Sequence, residues 1–247
     1  MKTAVKDKIL VLSLLLNALC ALLILNNLVL HFGIRTHAEN ILKKLGVVSE
    51  TKRSYKTNPE YYAARSLHEV YSTKNAGIVM LGDSITEGVN WNELLDRTDI
   101  ANRGIDGDVT EGFLNRLDHV YRLHPKACFI MGGVNDISWV STTDIFKNYQ
   151  MVVQQLKAHD IVPIIQSTLY TAGPDSAQRN RNIAELNRLL KKFAQEASVE
   201  YVDINRVLSK DGRLIDEYTS DGIHLTAKGY RVWAQEVSAI IQKYDLS

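Results

Sequence analysis

From residue 77 onward, short runs of β-branched and other apolar residues alternate with longer stretches in which apolar positions recur every three or four residues. The first kind fits buried strands and the second fits amphipathic helices. Strands are predicted over 77–82, 98–102, 127–132, 161–167 and 199–203, and helices over 109–122, 142–159, 177–197 and 226–243. Regular strand–helix alternation implies parallel strands joined by crossover helices, so the fold class expected is α/β, a three-layer α/β/α sandwich on a five-stranded parallel sheet. Upstream, Pro59 suits the first turn of a helix whose apolar face would comprise Tyr62, Leu67, Val70 and Tyr71.

The N-terminal pattern is different. No charged residue occurs from Ile9 to Leu30, and Leu, Ile, Val and Ala dominate. As a helix rising about 1.5 Å per residue, such a run is long enough to cross a bilayer core. It predicts an N-terminal transmembrane helix acting as a signal anchor, longer than the apolar core of an ordinary cleaved signal; cleavage after Ala38 is the alternative. The expected organisation is a basic tail over 1–8, an anchor over 9–30, a polar helical stalk over 31–57 and a folded domain over 58–247. Lys2, Lys6 and Lys8 precede the span and Arg35, Lys43 and Lys44 follow it, so charge bias barely orients it. A short tail before one span and one large domain favours a single-pass protein with the domain on the extracytoplasmic side.

Composition narrows the chemistry. The 29 Lys and Arg against 28 Asp and Glu leave a net charge of +1, which provides no field for gathering nucleic acid. Two cysteines, Cys20 and Cys128, make no disulfide framework. No His, Cys, Asp and Glu spacing suggests a metal, and Gly104, Gly107 and Gly112 do not form a dinucleotide fingerprint, so neither metal nor cofactor is expected.

In open α/β sheets functional groups collect beyond the carboxyl ends of the strands. There the chain reads Gly82-Asp83-Ser84-Ile85 after the first strand, Asn102-Arg103-Gly104-Ile105 after the second and Gly132-Gly133-Val134-Asn135-Asp136 after the third, with Asp221-Gly222-Ile223-His224 near the C-terminus. A serine hydroxyl is a weak nucleophile unless a base removes its proton, an imidazole titrates near neutral pH, and a carboxylate three residues before a histidine can hold its ring.

These four blocks, in this order over about residues 77–243, resemble those of the SGNH, or GDSL-like, hydrolases. The resemblance implies a flavodoxin-like fold, Ser84 as nucleophile, His224 as base and Asp221 as its orienting acid. It further implies an oxyanion hole formed by the Ser84 and Gly104 N–H groups and the Asn135 amide. Asn-Arg-Gly-Ile-x-Gly-Asp and Asp-Gly-Ile-His-Leu-Thr are similar to stretches of the platelet-activating-factor acetylhydrolase and bacterial acetylesterase group, which implies removal of small acyl groups. Trp91, Arg103, Trp139 and Tyr170 are candidates for substrate contact, each equally suited to packing. The expected partners are therefore an ester substrate, an acetylated glycan or a lipid, and the membrane through 9–30; no protein partner is legible. Acyl transfer to a glycan, lysophospholipid deacylation and noncatalytic glycan binding are the alternatives.

Overall fold

The computed structural model describes residues 54–174 and 176–246, together with positions 13, 16–23, 25 and 26. Contacts divide the chain into two units, Met1–Lys52 and Arg53–Ser247. In the first, the described positions are helical and exposed. Much of the expected 9–30 anchor, and all of 31–53 of the expected stalk, lie outside the described residues. Among the described residues no helix is long and apolar enough to cross a membrane.

The second unit includes residues 54–57, expected in the stalk, and contains the α/β sandwich. Helix α1 (Pro59–Val70) starts with Asn58 accepting the Glu60 N–H at 3.0 Å and Pro59 at its first position. Its apolar face is not the expected one. Tyr62, Leu67, Val70 and Tyr71 are exposed, and the helix docks through Tyr61 and His68. Polar contacts fix that rotation: Tyr61 Oη donates to Asn115 Oδ1 at 3.0 Å and Arg65 Nε to His119 Nε2 at 3.3 Å.

Strands β1 (Ile78–Gly82), β2 (Ile100–Gly104), β3 (Ala127–Met131), β4 (Val162–Gln166) and β5 (Glu200–Val202) form one parallel sheet in the order β2-β1-β3-β4-β5. β1 and β3 are buried throughout, as strands covered on both faces must be. Strand β2 starts two residues later than expected, and the Asn92 side chain bonds both N–H and C=O of Ile100 along its outer edge. Helices α2 (Ser84–Glu87) and α3 (Trp91–Leu94) connect β1 to β2.

The helix expected over 109–122 is broken into α4 (Thr110–Asn115) and α5 (Asp118–Tyr121). Arg116 sits at the break, fully buried, donating from Nε to Asp108 Oδ2 at 2.8 Å and from its terminal nitrogens to the Arg103 and Gly82 carbonyls at 2.7 and 2.9 Å. Helices α6 (Thr142–Ala158) and α7 (Ser176–Glu196) cover β3–β5. In α6, Ile145, Tyr149, Val152, Val153 and Leu156 form the buried stripe. After α8 (Asn205–Leu208) and a hairpin of β6 (Ser209–Lys210) and β7 (Arg213–Leu214), α9 (Ala227–Lys243) closes the sandwich. Tyr230, Trp233, Ala234, Val237 and Ile241 bury its inner face, and Tyr230 Oη donates to Ile85 O at 2.8 Å, joining α9 to α2.

Candidate active site

Adjacent β1 and β3 deliver their following loops to one edge of the sheet, where strand order reverses direction. Ser84 is the first residue of α2; Asp83 caps that helix, its Oδ1 accepting the Ile85 N–H at 3.0 Å. The strand exit is tight: a Cβ at Gly82 would lie 2.0 Å from Thr86 Oγ1 and 2.6 Å from Met131 O.

The C-terminal block meets the serine across 140 residues of sequence. His224 Nε2 lies 2.9 Å from Ser84 Oγ, and His224 Nδ1 lies 2.6 Å from Asp221 Oδ2. The other Asp221 oxygen accepts the Ile223 and His224 N–H groups at 2.9 and 2.8 Å, so one carboxylate shapes the loop and orients the ring. Gly222 makes the turn with φ +87°, and its carbonyl accepts the Ala172 N–H at 2.7 Å, tying the loop to the chain beyond β4. A Cβ there would stand 2.7 Å from Ala172 O. Burial alone would raise the Asp221 carboxyl, but hydrogen bonds from the His224 ring and from the two backbone N–H groups lower it to about 2. Both side chains are open to solvent, at 45% exposure for His224 and 50% for Asp221.

Close to Ser84 lies a layer of buried carboxylates. Asp136 accepts from Thr110 N at 3.0 Å and Thr110 Oγ1 at 2.6 Å, fastening the loop that bears Asn135 to the start of α4. Burial raises Asp136 to about 6 despite these bonds, and raises Asp83 to about 7, with Asp108 and Asp136 adding to the shift at Asp83. Asp108 is also raised by burial, opposed by Arg116. Among the described residues no group of three or more His, Cys, Asp or Glu is arranged to hold a metal ion.

Asn135 Nδ2 donates to Asp108 O at 2.9 Å, which sets its amide against the turn after β2. On that turn Gly104 does not offer the donor expected of it. Its N–H donates to Asn102 Oδ1 at 2.8 Å, and its missing side chain makes room for α2, since a Cβ would come within 2.2 Å of Glu87 N. Gly107, three residues on, has φ +66°, and neither its N–H nor that of Ser84 is bonded to a described residue. The sequence contained this second glycine, in Asn-Arg-Gly-Ile-x-Gly-Asp, but not which of the two glycine N–H groups is occupied by Asn102. A cavity of about 290 Å³ opens on the same turn, walled by Asp106, Gly107 and residues 54 and 57–59.

Of the other expected contact residues, Trp91, Arg103 and Tyr170 lie elsewhere. Trp91 is buried in the core; its Nε1 donates to Thr86 O at 2.9 Å and its ring meets Trp233 edge-on at 4.8 Å, so it packs α3 rather than meeting solvent. Arg103 is buried along the outer side of β2, in a cavity whose wall includes neither Ser84 nor His224. Tyr170 is half-buried and lines a cavity with Arg181 and Arg213, again without Ser84. Trp139 is half-buried, its N–H held by Asp136 O at 2.7 Å.

Fold and site together define a class of parallel α/β sandwich in which a serine, a histidine and an aspartate are hydrogen-bonded in series at the carboxyl edge of the sheet. Within that class the chain belongs to the GDSL-like lipase/acylhydrolase family, whose model matches residues 80–232. It is 28% identical over 175 residues to the N-acylneuraminate cytidylyltransferase of Streptococcus agalactiae serotype III (strain NEM316), over 68% of this chain and 41% of that protein. The chain thus spans less than half the length of that relative. It is 24% identical to the isoamyl acetate-hydrolyzing esterase of Saccharomyces cerevisiae, over 62% of this chain and 73% of that one. The fold is that of a GDSL-like lipase from Bacteroides thetaiotaomicron, with a TM-score of 0.66 and 23% identity, covering 74% of this chain and 98% of the other.

Proposed function

We propose that the chain is a membrane-anchored serine esterase that removes small acyl groups, acetyl above all, from an envelope or extracellular glycan. The observation that carries this reading is the unbroken relay from Ser84 Oγ through both His224 nitrogens to Asp221, at 2.9 and 2.6 Å. In it, His224 Nε2 takes the Ser84 proton as Oγ attacks the ester carbonyl, while Asp221 favours the tautomer with Nδ1 protonated and stabilises the imidazolium. The oxyanion then meets the N–H groups of Ser84 and Gly107 and the neutral amide of Asn135. His224 returns the proton to the leaving alcohol, and a water activated by the same ring releases the acid from Ser84.

A carbohydrate ester is supported by the solvent-open His224 and Asp221, which leave room for an acyl group projecting from a bulky chain. The yeast relative is named for hydrolysing isoamyl acetate, and the streptococcal relative is named an N-acylneuraminate cytidylyltransferase. The uncharged run from Ile9 to Leu30 supports anchoring at a membrane, and the short tail before one span and one large domain favours the hydrolase unit on the extracytoplasmic side. The test is a panel of p-nitrophenyl acetate, acetylated polysaccharide and lysophospholipid, offered to the full chain and to Ser84→Ala. Release of free acetate from the glycan by the wild type alone is the expected result. Acetyl groups appearing on an added acceptor glycan instead would make the chain a transferase. Preference for the lysophospholipid would make it a lipid acylhydrolase, and no turnover with no fluorophosphonate labelling of Ser84 would leave only a binding module.

A further inference from the structure

A cavity of about 400 Å³ runs along the free edge of β2, bounded by the end of α1, the segment that follows it, and α3. Two polar side chains in its wall are more than nine-tenths buried, Arg103 at 3% exposure and His68 at 8%. Both are incompletely satisfied. Arg103 donates from one terminal nitrogen to Asn102 O at 2.8 Å, but its buried Nε has no partner, and neither has the buried His68 Nδ1. The Tyr71 ring lies 5.8 Å from the Arg103 guanidinium and covers one face of it.

The contrast with Arg116 is informative. Equally buried, Arg116 is matched by Asp108 at 2.8 Å and by two carbonyls, as a desolvated cation requires. Arg103 forms no ion pair with any described carboxylate. Of the acidic residues in the cavity wall, Asp99 is engaged by Arg97 through two bonds of 2.8 Å, and Glu87 is exposed. Burial lowers Arg103 to about 10 and His68 to about 3, so at neutral pH the wall presents one guanidinium charge and one neutral imidazole. A guanidinium with unfilled donors in the wall of a cavity that also includes a histidine with an unfilled ring nitrogen is the kind of group with which a carboxylate or phosphate pairs. The volume lies within the range of small-ligand pockets.

We propose that this cavity binds a small oxyanion, a carboxylate or a phosphate, on Arg103 with His68 as a second polar contact, at a site separate from Ser84. The proposal is independent of which ester the serine cleaves. It is tested on the full chain by calorimetric titration and thermal unfolding with inorganic phosphate, glucuronate and neutral glucose at constant ionic strength.

The expected result is saturable binding of at least one of the two anions, with none of glucose. Response to both means that the oxyanion suffices; response to glucuronate alone means that the sugar contributes; response to phosphate alone means that a dianion is needed. Arg103→Met should weaken binding at least about tenfold, the cost of one charge-assisted contact. Arg103→Lys, which keeps the charge but loses the fork, should weaken it about threefold or more and carries the test should the Met variant not fold. Ser84→Ala should bind as tightly as the wild type. Failure of both anions to bind, wild-type affinity in Arg103→Lys, or loss of binding in Ser84→Ala would each overturn the assignment.

Discussion

Asp221→Asn isolates what the carboxylate contributes, because the amide matches it in shape and can still accept the Ile223 and His224 N–H groups through its oxygen. What changes is the group facing His224 Nδ1 at 2.6 Å, an acceptor in the native chain and an NH₂ donor in the variant. Two losses follow. The imidazole is biased towards the tautomer with the proton on Nε2, which cannot take the Ser84 proton; one hydrogen bond of about 1.4 kcal/mol makes this roughly a tenfold loss. The imidazolium formed in the transition state also loses its counter-charge. With Asp221 half exposed, an effective dielectric of about 40 is apt, between about 20 near a protein surface and about 80 in water, and the Coulomb energy is then about 3 kcal/mol, or roughly 200-fold. The product is a fall of about 10³ in kcat/KM, smaller than the roughly 10⁴ seen where the acid is fully buried. Steady-state hydrolysis of p-nitrophenyl acetate at pH 8 measures it, with circular dichroism confirming the fold. Asp221→Ala, which leaves Nδ1 to water, should lose less activity through the tautomer and more stability through the loop. An Asp221→Asn enzyme within tenfold of wild type would refute the relay.

Asn135→Ala should lower kcat by about 10²–10³ with little change in KM, the mark of a donor used in the transition state; a loss below tenfold would remove Asn135 from the oxyanion site. Trp91→Phe forfeits the bond to Thr86 O and part of the contact with Trp233, so urea unfolding should show a loss of about 1–3 kcal/mol. Its kcat/KM on p-nitrophenyl acetate should stay within about threefold, and a large kinetic defect at native stability would return the indole to the substrate. Asp83 is raised from 3.8 to about 7 by burial, so its proton is held more tightly in the folded than in the unfolded chain. The stability it contributes is complete below about pH 4 and lost as pH rises through about 7. Asp83→Asn should therefore flatten the decline in unfolding free energy between pH 4 and 7; equal slopes in the two proteins would contradict it.

The five strands and the long helices were legible because each rests on a period, two or 3.6, that burial enforces. Ser84, His224 and Asp221 were legible as short blocks after a strand or before a helix, resembling those of a known family, and the structure brings these three into hydrogen-bond contact. What resisted reading depends on partners distant in sequence. Gly104 and Gly107 share one stretch, and only the Asn102 side chain, by occupying the Gly104 N–H, tells them apart. The exposed Tyr62, Leu67, Val70 and Tyr71 of α1 invert the usual rule because Asn115 and His119 engage the helix through polar groups. The break in the 109–122 helix follows from Arg116 turning inward to Asp108, a buried ion pair that no hydrophobic period announces.

The bond from Tyr230 to Ile85 and the placement of His224 just ahead of α9 have a consequence in time. During synthesis Ser84 leaves the ribosome long before His224, and α9, whose Tyr230 braces the serine turn, leaves later still. A nascent chain lacking the segment from 221 onward carries Ser84 with no means of activating it. On the proposed function, turnover is thus withheld until the segment 221–243 has joined the sandwich, and its arrival reports that step.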